Sequence, residues 1–125
     1  MIKIHTDRAP AAVGPYSQAI ISRGMVYTSG QIAIDPRTNA VEAKDIKGQT
    51  EQVMHNLEEI LSSAGSSFSK AVKTTCFLAD MNDFAAFNEV YAQYFTELPA
   101  RSCVAVKTLP KGVLVEVEVI AESSL

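Results

Sequence analysis

Two charged side chains lie in otherwise apolar segments near the C-terminus, Arg101 at the head of RSCVAV and Glu116 within VLVEVEVIA. The planar guanidinium of arginine is suited to binding a carboxylate through two parallel hydrogen bonds, and a glutamate can orient a water molecule or move a proton. The pattern is therefore compatible with a site for a small carboxylate. It is equally compatible with a plain ion pair between Arg101 and Glu116.

Three residues of the N-terminal third have types and positions that suit the same kind of site. The run GPYSQA puts Tyr16 directly after a Gly-Pro turn, where its hydroxyl can reach into a cleft. The run TSGQI puts Ser29 and Gly30 at a strand end, and a glycine there lets a ligand approach the backbone closely. On local sequence alone, a turn explains each feature more simply than a binding site does.

The cysteines and histidines show no spacing typical of a metal or redox site. Cys76 and Cys103 lie far apart in apolar segments, outside any CxxC arrangement, and we expect each to be a small buried side chain. His5 and His55 offer no ligand spacing, so no metal site is expected.

The composition favours a single domain, residues 1–125, because 47% of its 125 residues are hydrophobic, enough for one core. Its 14 acidic and 11 basic residues give a formal charge of -3, without a basic run, which disfavours a nucleic-acid partner. No leader-like or membrane-spanning stretch is present. We therefore expect a soluble cytoplasmic protein with no membrane partner.

Two amphipathic segments predict helices. From Ile46 onwards the apolar residues share one helical face, with Asp45 as the N-cap and Gly65 as the stop. These residues are Val53, Leu57, Ile60, Leu61 and Ala64. The second helix is expected over NDFAAFNEVYAQYF, capped by Asn82 and ended before Pro99. Its aromatic residues fall at helical spacing and are interpreted as core.

The other apolar segments predict strands. SQAIIS and MVYTSG flank the turn dipeptide Arg23-Gly24 and predict a hairpin, with QIAI as its continuation. Residues 70–80 predict a central strand, and residues 101–107 and 113–121 predict two more. The predicted order of elements is β-β-α-β-α-β-β. We expect a mixed sheet of about six strands with two helices on one face.

The second face of this sheet is expected to meet solvent or another subunit, because two helices cannot cover both faces. Alternation in the last strand puts Glu116 and Glu118 on that helix-free face. Ser102, Val104 and Val106 are interpreted as the helix-facing side of their strand, which predicts Arg101 on the helix-free face with Glu116. A face that is partly apolar and partly acidic suits a subunit interface around a polar cleft, so we expect oligomerisation through it.

The combination of these segments is more specific than any one of them. GPYSQAI, YTSGQIAIDPRT, VKTTCFLADMNDFAAFNEVYAQYF and PARSCVAVKTLPKGVLVEVEVIA together closely resemble the RidA (YjgF-type) family of reactive-intermediate deaminases, from about Pro10 to Ala121. The resemblance implies a chorismate-mutase-like α+β fold and a homotrimer, with the sheets packed at its centre and the sites between subunits. It implies hydrolysis of 2-imino acids, such as 2-iminobutanoate and 2-iminopropanoate, or their enamine tautomers, to 2-keto acids and ammonia.

The resemblance also implies roles for single residues. Arg101 matches the arginine that binds the substrate carboxylate, Glu116 the acid that handles water or a proton, and Tyr16 the tyrosine that closes the pocket. Ser29, Gly30 and Cys103 match residues that line the pocket. An imine is already electrophilic, so positioning and one carboxylate can suffice, and no cofactor or metal is expected.

One feature departs from the family pattern, and two other functions stay open. The link TELPARS is shorter than in close relatives, which can move Arg101 or trim the cleft wall. A trimer that binds small carboxylates without turnover is the main alternative, although Glu116 near an anionic ligand gives a pure binder no advantage. Ribonuclease activity or inhibition of translation, attached to some members of the family, is disfavoured by the acidic balance.

Overall fold

The computed structural model describes all of residues 1–125. Two helices are present, α1 (Ile46–Ser63) and α2 (Phe84–Tyr94). The strands are β1 (Ile2–Ile4), β2 (Ala19–Ser22), β3 (Met25–Thr28), β4 (Ile34–Asp35), β5 (Ala40–Val41), β6 (Ala71–Leu78), β7 (Ala100–Ala105) and β8 (Val115–Glu122). Neither helix has the length and apolar composition needed to cross a bilayer.

Six of the strands form one mixed sheet in the order β1-β2-β3-β8-β6-β7. Only β6 and β7 are parallel, because α2 connects them as a crossover. The α+β class and the six-stranded mixed sheet are thus confirmed, as is the hairpin, whose turn residues Arg23 and Gly24 both have positive φ. β1 was not predicted. QIAI does not continue the hairpin as a full strand, since only Gln31 pairs with β8, through Val117.

The first helix follows its sequence signals. The Asp45 side chain accepts a hydrogen bond from the Gly48 N–H at 2.9 Å, which satisfies one of the free donors of the first turn. The predicted apolar face is fully buried, His55 is exposed, and Gly65 follows the helix with φ +68°.

The second helix begins later than predicted. Asp80, not Asn82, supplies the cap: its carboxylate accepts from the Asn82 N–H at 2.8 Å and starts a short 3-10 turn that leads into α2. Asn82 is therefore wrong as the N-cap, because the acceptor lies two residues earlier. The aromatic residues of α2 do pack as core, with Tyr91 stacked on Phe95 at 4.5 Å between ring centroids.

Both helices lie on one face of the sheet and share a single core with it. On β8 this face is built from Val115, Val117 and Val119, all buried. The opposite face carries no helix. Its side chains alternate with the buried ones and are partly exposed, and they include Tyr27, Phe77, Val104, Glu116, Glu118 and Ile120. This mixed surface is called the open face below.

Candidate functional site

A bulge at the end of β3 builds one part of the candidate site. The ladder between β3 and β8 stops after Tyr27 and Ile120 and resumes only where Gln31 and Val117 exchange backbone hydrogen bonds of 2.9 and 3.1 Å. Between these points the chain leaves the sheet. The Val119 N–H is satisfied there by the Thr28 hydroxyl at 3.0 Å.

Ser29 and Gly30, both half-buried, form the part of this bulge that lines a cleft. Ser29 is fixed from two sides, because its N–H donates to the Gln18 carbonyl at 2.9 Å and its hydroxyl donates to the Ser17 carbonyl at 2.6 Å. The N–H of Gly30 has no acceptor within the chain. A donor of this kind at the wall of a cleft is available to an anionic ligand.

Glu116 lies directly against Gly30. A Cβ added at Gly30 would stand 2.1 Å from Glu116 Oε2, so only glycine leaves room for this carboxylate. Burial raises the pKa of Glu116 above its ordinary value, and the neighbouring Glu118 carboxylate raises it further. Glu116 is thereby a stronger base than a fully solvated glutamate, and it takes up its proton at a higher pH.

The bulge and Glu116 line a cleft of about 650 Å³. Four of the six predicted site residues meet at this cleft: Tyr16, Ser29, Gly30 and Glu116. Tyr16 lies at the edge with about half of its surface exposed, and Lys111 and Glu118 add charged groups that sequence reasoning did not assign to the site. Arg101 and Cys103 do not line this cleft.

Arg101 lies on β7, the edge strand, and its side chain is held by α2. Nη1 donates to Asn88 Oδ1 at 2.7 Å. The guanidinium carbon lies 4.8 Å from the centre of the Tyr91 ring and 5.4 Å from that of Phe84. No carboxylate of the chain forms an ion pair with it. Arg101 therefore keeps a positive charge without a counter-ion in the isolated chain.

The expectation that Arg101 and Glu116 share the helix-free face is wrong. Arg101 pairs across the sheet with Thr74, which is buried under α2, whereas Glu116 pairs with Phe77 on the open face. The error comes from Val104, which is 48% exposed although it belongs to the apolar side of its strand. That side of β7 faces outward, so the opposite side of the strand, which carries Arg101, is the one that lies beneath α2. A plain Arg101–Glu116 ion pair within the chain is excluded as well.

The two cysteines face each other across β6 and β7 on the helix side. Cys76 is fully buried, and burial raises the pKa of its thiol to about 12. Cys103 is partly buried, and burial also raises the pKa of its thiol, while the Arg101 charge opposes that shift. The thiolate is the nucleophilic form of cysteine, so neither side chain is set up as a nucleophile at neutral pH.

The short link between α2 and β7 closes through a left-handed residue. Phe95 ends the helix and is buried, Leu98 has φ +55° with an 85% exposed side chain, and β7 begins at Ala100. Arg101 is thus placed one residue after Ala100 and beneath α2, where Asn88 and Tyr91 reach it.

Sequence reasoning missed Asn88, and it classed Phe84 and Tyr91 as core alone. The sequence does carry a pattern that groups these three residues, because positions 84, 88 and 91 are spaced by four and three residues and so fall on one face of a helix. A polar Asn88 between two aromatic residues on the helix that precedes an unpaired arginine points to a contact with that arginine. No group of three His, Cys, Asp or Glu side chains is arranged to hold a metal ion.

The fold and site define a small α+β domain with an unpaired arginine on one face of its sheet and a carboxylate cleft on the other. The sequence profile described as Endoribonuclease L-PSP matches residues 6–123. A protein of Salmonella typhimurium named 2-iminobutanoate/2-iminopropanoate deaminase is 49% identical over 122 residues, which are 94% of each chain. The chain belongs to this L-PSP family, which includes the RidA (YjgF-type) proteins it resembles.

Solved structures share the whole fold. RidA of the Antarctic bacterium Psychrobacter sp. superposes with a TM-score of 0.93 at 45% identity, covering 98% of this chain and 99% of the other. Escherichia coli TdcF, solved with bound serine, gives a TM-score of 0.93 at 44% identity, covering 99% of this chain and 100% of that one. At these identities the likeness extends beyond the fold to the family.

Proposed function

We propose that the protein hydrolyses reactive 2-imino acids, such as 2-iminobutanoate and 2-iminopropanoate, or their enamine tautomers, to 2-keto acids and ammonia. The Salmonella relative that carries this activity in its name supports the proposal, while other relatives carry only the family name RutC. The observation that carries it is the unpaired charge of Arg101. A free guanidinium held in place is suited to the carboxylate that every such substrate has.

The proposed site lies between two subunits of a homotrimer. On one chain Arg101 and Glu116 point to opposite faces of the sheet, so they cannot both contact one small molecule. The open face carries Tyr27, Phe77 and Ile120, apolar area that a second copy would bury. Because β7 is the edge strand, a neighbour packed there would bring its cleft next to Arg101.

Each residue then has a defined task. Arg101 and Cys103 of one subunit form one wall, and the neighbour contributes Tyr16, Ser29, Gly30 and Glu116. The substrate carboxylate binds to Arg101 and to the free Gly30 N–H, which fixes the imine carbon. Ser29 holds the bulge in place and Tyr16 covers the entrance.

The chemical steps need one water and one carboxylate. Glu116 accepts a proton from water as the oxygen attacks C2 of the iminium, and the C=N π electrons move to nitrogen. The resulting carbinolamine takes that proton from Glu116 on nitrogen. The C–N bond then breaks and ammonia leaves as Glu116 takes the hydroxyl proton and the keto group forms. Ammonia removes this proton as ammonium, which leaves Glu116 ionised again. The raised pKa of Glu116 suits both directions of transfer. Dehydratases that use pyridoxal phosphate and act on serine and threonine release such imines. Because these imines are short-lived in water, the protein would have to work in the same compartment as the dehydratases, which we propose is the cytoplasm.

The experiment uses imines generated in place by an amino-acid oxidase, with release of keto acid or ammonia as the readout. We expect the wild-type protein to exceed the uncatalysed rate and Arg101→Ala to lose about 10- to 100-fold in kcat/KM, the range for a hydrogen bond to a charged group. Lys107→Ala, which removes an exposed cation from the segment after β7, is the matched control. An uncatalysed rate for the wild-type protein would overturn the proposal.

A binding protein without turnover is the second candidate. The serine bound to TdcF favours it, because that ligand also carries a carboxylate. On this account calorimetry would detect 2-keto acid binding that Arg101→Ala abolishes, and no imine hydrolysis would be seen in either protein. Ribonuclease activity, which the family description names, is a third candidate function. To support it, nuclease activity would have to survive stringent purification of the protein and disappear on a site substitution.

A further inference from the structure

Arg101 is surrounded by neutral side chains from α2, an arrangement that differs from the other charged contacts of the chain. Arg37, for example, pairs with the Asp35 carboxylate at 3.0 Å. We propose that Phe84 and Tyr91 are positioning residues that hold the Arg101 guanidinium by their ring faces and leave its N–H edge free for a ligand carboxylate. This inference rests on the proposed function, in which Arg101 binds the substrate.

Tyr91 is the rigid part of this pair. Its side chain is buried, its ring stacks on Phe95, and its hydroxyl shares a 2.7 Å hydrogen bond with the Thr74 hydroxyl. Thr74 is itself fully buried and pairs with Arg101 across β6 and β7. The ring is thus fixed at both ends, with its face 4.8 Å from the guanidinium carbon.

Phe84 and Asn88 complete the surroundings. Phe84 lies about two turns before Tyr91 on the same face of α2, and its ring centre is 5.4 Å from the same carbon. Asn88 occupies one of the five N–H donors of arginine, at 2.7 Å. Attraction to ring faces stabilises the cation without using the remaining donors, so a bidentate contact stays possible.

The choice of neutral contacts has a functional consequence. A carboxylate partner would fix Arg101 equally well, but it would compete with the substrate for the same donors and reduce the positive charge that attracts an anion. Aromatic rings avoid both costs. This arrangement therefore suits an arginine whose counter-ion is a bound ligand and not a residue of the chain.

The test compares Phe84→Leu, Tyr91→Leu and Tyr91→Phe with Tyr94→Leu. Tyr94 is on the same helix, but its ring contacts Phe68 and its hydroxyl contacts Glu51, so it controls for loss of a ring from α2. We expect Phe84→Leu and Tyr91→Leu to raise KM, and the inhibition constant of a 2-keto acid, by about 2- to 30-fold, the value of a cation–π contact. The kcat should change little, since Glu116 is untouched.

Tyr91→Phe keeps the ring, so it should bind the keto acid more like the wild-type protein than Tyr91→Leu does. If Tyr91→Leu fails to fold, Phe84→Leu decides, because Phe84 is only partly buried. Wild-type KM in Phe84→Leu, or an equal rise in Tyr94→Leu, would overturn the inference. If Arg101→Ala itself leaves activity and keto acid binding unchanged, the proposed function fails instead, which separates the two outcomes.

Discussion

Arg101 and Glu116 belong to one sheet of one chain, yet their side chains point to opposite faces of it. Arg101 lies under α2 beside Tyr91, and Glu116 lies in the cleft beside Gly30. Both are the charged groups that a carboxylate-binding hydrolase needs, and neither has an ion-pair partner in the chain. This separation is the reason for proposing that two copies of the chain build each site.

Glu118 is expected to set the pH at which Glu116 becomes active. The Glu118 charge contributes to the raised pKa of Glu116, so Glu118→Gln should lower that pKa. If ionised Glu116 is the base, the acidic limb of kcat/KM moves to lower pH in this variant. Steady-state rates between pH 4 and 8 measure the limb. Glu122→Gln, at the exposed end of β8, is the control, and an unmoved limb in Glu118→Gln contradicts the role of Glu116 as base.

Glu116 is expected to reduce stability at neutral pH. Because its pKa is raised in the folded state, the folded protein binds this proton more tightly than the unfolded chain does. The associated stability is present below the unfolded pKa, about 4.3, and is lost as the pH rises through the folded pKa. Glu116→Gln should therefore raise Tm at pH 7 and give no gain near pH 4. Calorimetric scans across this range check the sign, and a gain independent of pH would count against it.

We expect position 30 to need a glycine because the Glu116 side chain occupies the space that a Cβ would take, and not because of the backbone conformation at Gly30. Gly30→Ala places a methyl group where Glu116 Oε2 lies, so the carboxylate must move. A displacement of this size costs about 100-fold in rate when the group is catalytic. Activity assays on Gly30→Ala, Glu116→Gln and the double variant form a cycle. The glycine effect should largely disappear in the Glu116→Gln background, and full additivity would show that Gly30 acts through another group.

Cys103 is expected to serve as part of a wall and not as a nucleophile. Burial raises the pKa of its thiol and of Cys76, so little thiolate is present at neutral pH. Iodoacetamide at pH 7.5 should label the native protein more slowly than a free thiol, and Cys103→Ser should keep activity within about threefold. A loss as large as that of Arg101→Ala would assign the thiol a chemical role.

The parts of the fold governed by local rules could be predicted from sequence. The apolar face of α1 with its Asp45 cap, the Arg23-Gly24 hairpin and the alternation of β8 all depend on short-range periodicity, and each matches the structure. Glu116, Tyr16, Ser29 and Gly30 meet at one cleft, as expected. β1 was missed, because a three-residue strand carries too little pattern to identify.

Short-range periodicity could not predict which side of a strand lies beneath a helix. Alternation in β7 separates Arg101 from Val104 correctly, but it does not say which of the two lies under α2. The rule that apolar side chains face the core fails where an apolar face is left open in the single chain. The Asn88 contact was missed for the same reason, since it follows only once Arg101 is placed beneath the helix.

The most direct test of the account is complementation between two impaired variants. Arg101→Ala and Glu116→Ala are each purified, shown to be folded and to have strongly reduced activity, then unfolded together and refolded as a mixture. If each site takes Arg101 from one subunit and Glu116 from its neighbour, random assortment restores about one site in four. Imine hydrolysis should therefore return to about a quarter of the wild-type rate. A mixture that stays no more active than its two components would contradict a site shared between subunits.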